Sequence, residues 1–133
     1  MALFGNKKKS DLMKKLETLK KNYEFKNVLS RGKFYCGKFI TVYIVKNNLQ
    51  KNVIGIAVNT KVAKAVKRNR IKRLIRENYR LSKSNLKTGF NIVFLWNKKA
   101  SIDNVDFHAV EHDMSKIFDK ANLLLIGNYE KDN

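Results

Sequence analysis

Residues 64–81 are the most clearly amphipathic segment of the chain. One face follows the i, i+3, i+4, i+7, i+8 spacing of a helix: Ile71, Leu74, Ile75, Asn78 and Tyr79. At about 100° per residue, the opposite arc is polar and mostly cationic: Asn69, Lys72, Arg73, Arg76 and Arg80. A helix of this kind buries one side against a partner surface, so the segments around it must supply that surface.

The neighbouring segments have the composition of strands. Residues 52–59 (NVIGIAVN), 90–96 (FNIVFLW) and 38–45 (KFITVYIV) are rich in β-branched and aromatic side chains. A short helix is predicted over residues 23–29, stopped by Gly32. A last helix is predicted to begin with Ser101 as its cap and to carry an apolar stripe: Phe107, Val110, Met114, Ile117, Phe118 and Ala121.

The order helix, strands, helix, strand, helix predicts a small α/β domain, an α+β sandwich with one sheet covered by helices on one face. We expect this domain to span residues 18–127. Residues 1–17 are predicted to be an extension, with a helix over about residues 11–21, and residues 128–133 to be a tail.

The charge of the chain predicts a polyanionic partner. The formal net charge is +18, and it is uneven: residues 1–100 hold 26 basic and 4 acidic residues, whereas residues 101–133 hold 3 and 7. Nine Lys or Arg residues and one acid, Glu77, lie within residues 61–80, including five of the six arginines of the chain. Arginine binds phosphate in a bidentate manner, so nucleic acid or an anionic membrane surface is indicated.

Several classes of protein fit the sequence poorly. No run reaches the ~18 apolar residues that cross a bilayer, and the lysines near the N-terminus precede no apolar signal region. The single cysteine, Cys36, predicts a reducing compartment, and we expect a cytoplasmic protein that binds no membrane. A DNA-binding regulator would need a helix-turn-helix setting, but the basic segment lies between two predicted strands.

The chain offers little for protein-based catalysis. His108, Glu111 and His112 fit the H-x-x-E-H pattern of zinc peptidases. Only twenty-one residues follow His112, however, and such a site needs a third protein ligand. Two solvated histidines on an acidic helix are the alternative that we favour. The glycines are scattered rather than gathered in a phosphate loop. We therefore expect no catalytic and no metal-ligating residues.

Two interpretations of the basic segment stay open at this point. It is either a solvated surface of a lysine-rich protein or a phosphate-binding helix. The clustering of arginine favours the second, and aromatic residues on the predicted strands favour RNA over a membrane, because an open sheet face can stack unpaired bases. These aromatic residues are Phe39 and Tyr43, within the predicted strand over residues 38–45, and Phe34 and Tyr35, just before it.

Residues 65–77 carry the run A-V-K-R-N-R-I-K-R-L-I-R-E. It resembles the "RNR" motif of the protein subunit of bacterial ribonuclease P. Residues 19–25 (LKKNYEF) resemble the entry to that family's first helix, and residues 52–58 resemble the strand before its motif. The resemblance covers residues 18–127.

The resemblance implies a non-catalytic subunit of an RNA-based endonuclease. In that family a large catalytic RNA removes the 5′ leader from precursor tRNA, and the protein raises the affinity for substrate and for Mg²⁺. The implied fold has about four strands, three helices and a left-handed βαβ crossover. The implied catalytic-RNA-binding residues are Lys61, Lys64, Lys67, Arg68, Asn69, Arg70, Lys72, Arg73, Arg76 and Arg80.

The leader site implied by the resemblance lies between the first helix and the sheet. It comprises Phe25, Thr41 and Tyr43, with Trp96 as a further stacking residue where the family commonly continues into Arg and Pro. A second departure is Leu29, which stands where the family often has an aromatic residue. The competing hypothesis is a general RNA-binding module, such as a ribosomal protein; a protein-only nuclease is the weakest alternative because carboxylates are scarce where the positive charge is concentrated.

Overall fold

A computed structural model describes residues 16–125. Along this part of the chain, a helix is followed by three strands, a second helix, a fourth strand and a third helix. Their bounds are α1 Asn22–Arg31, β1 Lys33–Cys36, β2 Ile40–Lys46, β3 Val53–Ala57, α2 Ala65–Ser82, β4 Phe90–Trp96 and α3 Phe107–Lys120, with a 3₁₀ turn Lys83–Asn85 after α2. This α+β class, with a four-stranded sheet and three helices, confirms the predicted fold class. No helix in the described range is long and apolar enough to cross a membrane.

The strands form one mixed sheet in the order β1-β2-β4-β3. β1 pairs with β2 and β2 pairs with β4 in antiparallel fashion, whereas β3 lies parallel to β4. Because β3 and β4 are parallel neighbours, the chain must cross over between them, and α2 makes that crossover. The left-handed sense of the crossover stays a prediction from the resemblance.

Helices cover both faces of the sheet, so the prediction of one covered face was wrong. On one face the even-numbered residues of β2 and β4, such as Val42 and Phe94, form the main core with α2 and α3. On the other face, Val28 of α1 packs against Val93 and Leu19 in a second cluster. Both sides of β4 are therefore covered, and residues 92–96 of this strand are all apolar.

The segment before α1 is extended where a helix was predicted. Residues 17–19 pair with the free edge of β3: the Leu19 amide donates to the Ile54 carbonyl at 2.8 Å, and the Ile54 amide donates to the Glu17 carbonyl at 3.0 Å. Leu16 packs against the main core, so the folded domain begins before residue 18. The rest of the predicted helix, residues 11–15, lies outside the described residues, as does the predicted boundary at 127.

The last helix starts later than predicted. Its cap is Asp106, whose side chain accepts a hydrogen bond from the Ala109 amide at 2.9 Å. Ser101 instead donates to the Asp103 carbonyl within the preceding loop. Serine and aspartate are both favoured N-cap residues, so the sequence allows either start. Residues 101–106 form a loop that includes Asn104 with φ of 63°, and the helix begins only after it.

Candidate nucleic-acid interface

The buried side of α2 fixes which of its residues face solvent. Ile71, Ile75 and Tyr79 lie in the main core, and burial raises the pKa of the Tyr79 phenol. The Asn78 amide donates to the carbonyls of Leu74, at 2.9 Å, and Phe107, at 3.3 Å, which ties α2 to the start of α3. The opposite side of α2 is therefore held outward along its whole length.

Four of the predicted RNA-binding cations on α2 already have partners within the protein. Lys67 forms an ion pair with Asp103 at 2.8 Å, and Arg80 forms one with Glu77 at 3.0 Å. The Arg70 guanidinium donates to the Val105 carbonyl. The Arg68 guanidinium donates to the carbonyls of Ala63 and Thr60 and so fixes the loop before α2.

The remaining members of the predicted set form what we call the cation row. Within residues 16–125, their side chains have no hydrogen bond or ion pair to another residue. Lys72 is half-buried and the others are exposed. The row consists of the uncharged Asn69 and five cations, of which the two lysines at 61 and 64 lie just before α2: Lys61, Lys64, Lys72, Arg73 and Arg76. Unpaired cations held on a rigid helix are suited to bind phosphates.

The cation row reaches a groove at the β3 edge of the sheet. Lys72 and Arg76 line this groove together with Phe25 of α1 and the paired segments around Leu19 and Gly55; its volume is about 200 Å³. The Phe25 ring lies directly over Gly55, where an added Cβ would come within 2.6 Å of the ring. The glycine therefore creates the space that the aromatic wall occupies.

The structure brings three of the four predicted leader residues to one face of the sheet. Phe25 of α1 and Tyr43 of β2 both pack on the second cluster. Thr41, two residues before Tyr43 on β2, lies on the same face and donates its hydroxyl hydrogen bond to Asn97 Oδ1. We call this surface the α1 face.

Trp96 is not part of the α1 face, and its prediction as a leader-stacking residue is corrected. It belongs to the main core on the other side of the sheet, is 3% exposed and stacks on Phe39 with ring centroids 5.5 Å apart. Because side chains alternate along a strand, position 96 points opposite to positions 93 and 95 of β4.

One residue of the α1 face was not included in the predicted site. Phe34 on β1 lies directly opposite Tyr43 on β2, and the two rings are in contact with centroids 5.7 Å apart. Sequence reasoning noted an aromatic residue here. The sequence predicts no separate strand over residues 33–36, however, so the pairing of Phe34 with Tyr43 does not follow from it.

The H-x-x-E-H residues form no metal-binding group. His108 is exposed, and its Nδ1 lies 3.3 Å from Glu111 Oε1, while His112 lines a separate cleft beside Lys116. Within the described range, no three His, Cys, Asp or Glu side chains are grouped as metal ligands.

The fold and the site define a small basic α+β protein with a strongly cationic helix and an aromatic sheet face. The ribonuclease P family model matches residues 13–122, and the chain belongs to this family. The resemblance seen in the motif is thereby confirmed, and with it the role of protein subunit of ribonuclease P.

Similar proteins agree over most of the chain. The ribonuclease P protein component of Thermoanaerobacter sp. (strain X514) is 39% identical over 112 residues, which cover 84% of this chain and 95% of the relative. That of Caldanaerobacter subterraneus is 41% identical with the same coverage. The ribonuclease P protein structure from Staphylococcus aureus matches with a TM-score of 0.73 at 27% identity, covering 83% of this chain and 99% of that one. The structure from Thermotoga maritima matches with a TM-score of 0.69 at 32% identity, covering 82% and 96%.

Proposed function

We propose that this subunit divides its work between two surfaces. The cation row of α2 binds the catalytic RNA of ribonuclease P, and the α1 face binds the single-stranded 5′ leader of precursor tRNA. The RNA carries out the cleavage, and the protein contributes binding free energy and charge. In this proposal the assembly works in the bacterial cytoplasm.

The cation row is the observation that carries the proposal. Its members on α2 project from one side of a helix whose other side is packed into the core, and Lys61 and Lys64 lie in the loop that leads into this helix. The backbone positions from which these side chains extend are therefore fixed before RNA arrives. A rigid backbone lowers the conformational entropy that is lost when the RNA binds. Each phosphate that they neutralise releases counterions, so binding should weaken steeply with salt.

The protein residues do not fit a Mg²⁺ site on this surface. Mg²⁺ takes oxygen ligands, and Glu77, the one carboxylate on α2, is paired with Arg80. RNA phosphates are the better source of oxygen ligands. The cation row would offset repulsion between the two RNAs, and the Mg²⁺ needed for assembly and cleavage should fall as a result.

The α1 face suits unpaired nucleotides rather than a duplex. Tyr43 is half-buried and presents an aromatic surface, with Phe25 as a wall beside the cationic groove. Bases of a single strand stack on such rings regardless of sequence, which is what a site for many different leaders requires. A duplex has its bases already stacked and offers no free faces.

The test is cleavage of a precursor tRNA by a bacterial ribonuclease P RNA at low Mg²⁺, with and without this chain. The proposal predicts that the chain restores activity that the RNA alone has lost. If the chain binds both RNAs but leaves cleavage unchanged, it acts as a general RNA-binding module and the proposal is wrong.

A further inference from the structure

Phe34 is a large aromatic side chain that the fold leaves open to solvent. It is 61% exposed, and Tyr23, at 66%, is the other aromatic residue of comparable exposure in the described range. Burying a phenylalanine side chain stabilises a folded protein by roughly 1.5–3 kcal/mol. The exposed Phe34 ring does not contribute this free energy to the fold. Exposed rings of this kind are common where a partner supplies the missing contact.

The position of Phe34 is set by the register of the sheet. β1 is an edge strand of four residues, and Phe34 is directly opposite Tyr43 of β2. The two rings are tilted by 35°, so one side of Phe34 rests on Tyr43 and the rest of the ring remains exposed. Phe34 therefore extends the aromatic surface of Tyr43 toward the edge of the sheet.

The surroundings of Phe34 favour an anionic partner with flat rings. No acidic residue lies between Phe25 and Lys46, and α1, which covers this face, carries Lys26 and Arg31. Three further lysines of this stretch line clefts beside α3 on the other side of the sheet: Lys33, Lys38 and Lys46. An apolar protein partner would find one isolated ring here rather than a continuous apolar patch. A nucleotide offers both chemistries, a base for the ring and a phosphate for the neighbouring cations.

We propose that Phe34, supported by Tyr43, stacks on one unpaired base of the precursor leader. This inference rests on the proposed function of the α1 face and adds a specific position to it. Tyr43 and Phe34 then form one continuous aromatic surface on which bases can stack. The leader runs from the groove beside Phe25 toward the β1 edge.

The test compares Phe34→Ala, Phe34→Leu and Phe34→Trp in the full-length chain assembled with a bacterial ribonuclease P RNA. Equilibrium binding is measured to precursor tRNA and to mature tRNA, which has no leader. Loss of one base–aromatic stack weakens binding by about 5- to 100-fold, so Phe34→Ala and Phe34→Leu should lose this much affinity for the precursor. Phe34→Trp should keep it, and binding of mature tRNA should not change.

Tyr23→Ala is the matched control, because Tyr23 is an equally exposed aromatic residue on the first turn of α1, two positions from Phe25. It should leave precursor affinity unchanged. A precursor with a single abasic nucleotide at the stacked position should bind wild type and Phe34→Ala equally well, which locates the base.

Two results would overturn the inference. If Phe34→Ala binds the precursor as wild type does while Tyr43→Ala does not, the leader site exists and Phe34 lies outside it. If Phe34→Ala instead abolishes self-association of the free chain without changing leader affinity, Phe34 is a contact between copies. A wild-type assembly that binds precursor and mature tRNA equally would contradict the proposed function itself.

Discussion

Asp113 and Asn78 are the two buried polar or charged side chains of the described residues, and both hold parts of the site in place. The Asp113 carboxylate accepts hydrogen bonds from the amides of Lys38, Phe39 and Ile40, at 2.7, 2.9 and 3.0 Å. It thereby fixes the turn that leads from β1 into β2. The carboxylate lies so close to Gly37 that no Cβ would fit there. This turn sets the register in which Phe34 faces Tyr43.

Replacing Asp113 tests this role. Asp113→Ala leaves three amides of the turn without their acceptor, so we expect the free energy of unfolding to fall by about 2–4 kcal/mol. Urea unfolding followed by circular dichroism measures it. Glu111→Gln, an exposed carboxylate of the same helix, is the control and should change stability by less than about 0.5 kcal/mol. Equal stability of Asp113→Ala and wild type would show that the turn does not depend on this carboxylate.

Tyr43 tests the leader site at a single residue. Tyr43→Ala should raise the KM for precursor tRNA by about tenfold, since one stacking contact is lost, while affinity for the catalytic RNA stays the same. Tyr43→Phe keeps the ring and should behave as wild type. Steady-state cleavage and a separate assembly titration give the two quantities. Unchanged KM for Tyr43→Ala would remove this residue from the leader site.

At the scale of the element, both ends of α2 were predicted to within one residue, because its apolar and its cationic residues each recur with the helical period. The sequence indicated residues 64–81, and the helix spans Ala65–Ser82. The sequence could not show which cations would be used within the protein. The partners of Lys67 and Arg70 lie in the loop before α3, far along the chain, and the partner of Arg68 lies in the loop before α2. Such pairings follow only from the tertiary structure.

This distinction predicts different effects for two arginines of α2. Arg73→Gln should weaken binding of the catalytic RNA and reduce the log–log salt slope by about 0.7–0.9, with stability unchanged, because Arg73 belongs to the cation row. Arg68→Gln should also lower stability, by about 1 kcal/mol, since it releases the Thr60 and Ala63 carbonyls.

Filter binding across a salt series and thermal unfolding give the two quantities. Lys116→Gln removes one positive charge from α3 and serves as the control; its salt slope should stay that of wild type. If Arg73→Gln and Lys116→Gln behave alike, net charge rather than the cation row accounts for RNA binding.

The start of α1 makes a pH-dependent contribution. Glu24 accepts hydrogen bonds from the Lys20 and Lys21 amides, each at 2.9 Å, and these bonds hold the pKa of its carboxyl below the usual 4.5. A lowered pKa in the folded state means that the stabilisation is present above pH 4.5 and is lost as the pH falls through the folded-state value.

We therefore expect Glu24→Gln to lower the Tm at pH 6 and to match wild type in strong acid, because Glu24 is then protonated in both states. Scanning calorimetry across this range measures the difference. A Tm difference that stays constant with pH would mean that the carboxylate charge does not stabilise α1.

At the scale of the whole molecule, the sequence predicted the class of fold and the motif helix, but not the two-sided sheet. Periodicity identifies each strand and helix separately, and the continuous apolar run of β4 fits either one covered face or two. The placement of Trp96 failed for the same reason. Its face follows from the register with β2, where it pairs with Ile40 rather than with a residue of the α1 face.

The fold places the two proposed RNA-binding surfaces on opposite sides of one sheet. α2 lies against the main core, whereas Phe25 belongs to α1 on the other side of the sheet, and Thr41 and Tyr43 lie on the strand face toward α1. The groove lined by Lys72, Arg76 and Phe25 connects them around the β3 edge. A protein of this shape can bind the catalytic RNA and a leader at the same time.

Cys36 allows the most direct test of this arrangement, because it is the single cysteine of the chain and is exposed on the α1 face beside Thr41. A photoactivatable group attached to Cys36 in the assembled enzyme should crosslink to the leader of precursor tRNA. The same group on Asn69→Cys, in a Cys36→Ser background, should crosslink to the catalytic RNA. Crosslinks from Cys36 to the catalytic RNA alone, with none to the leader, would contradict the assignment of the two surfaces.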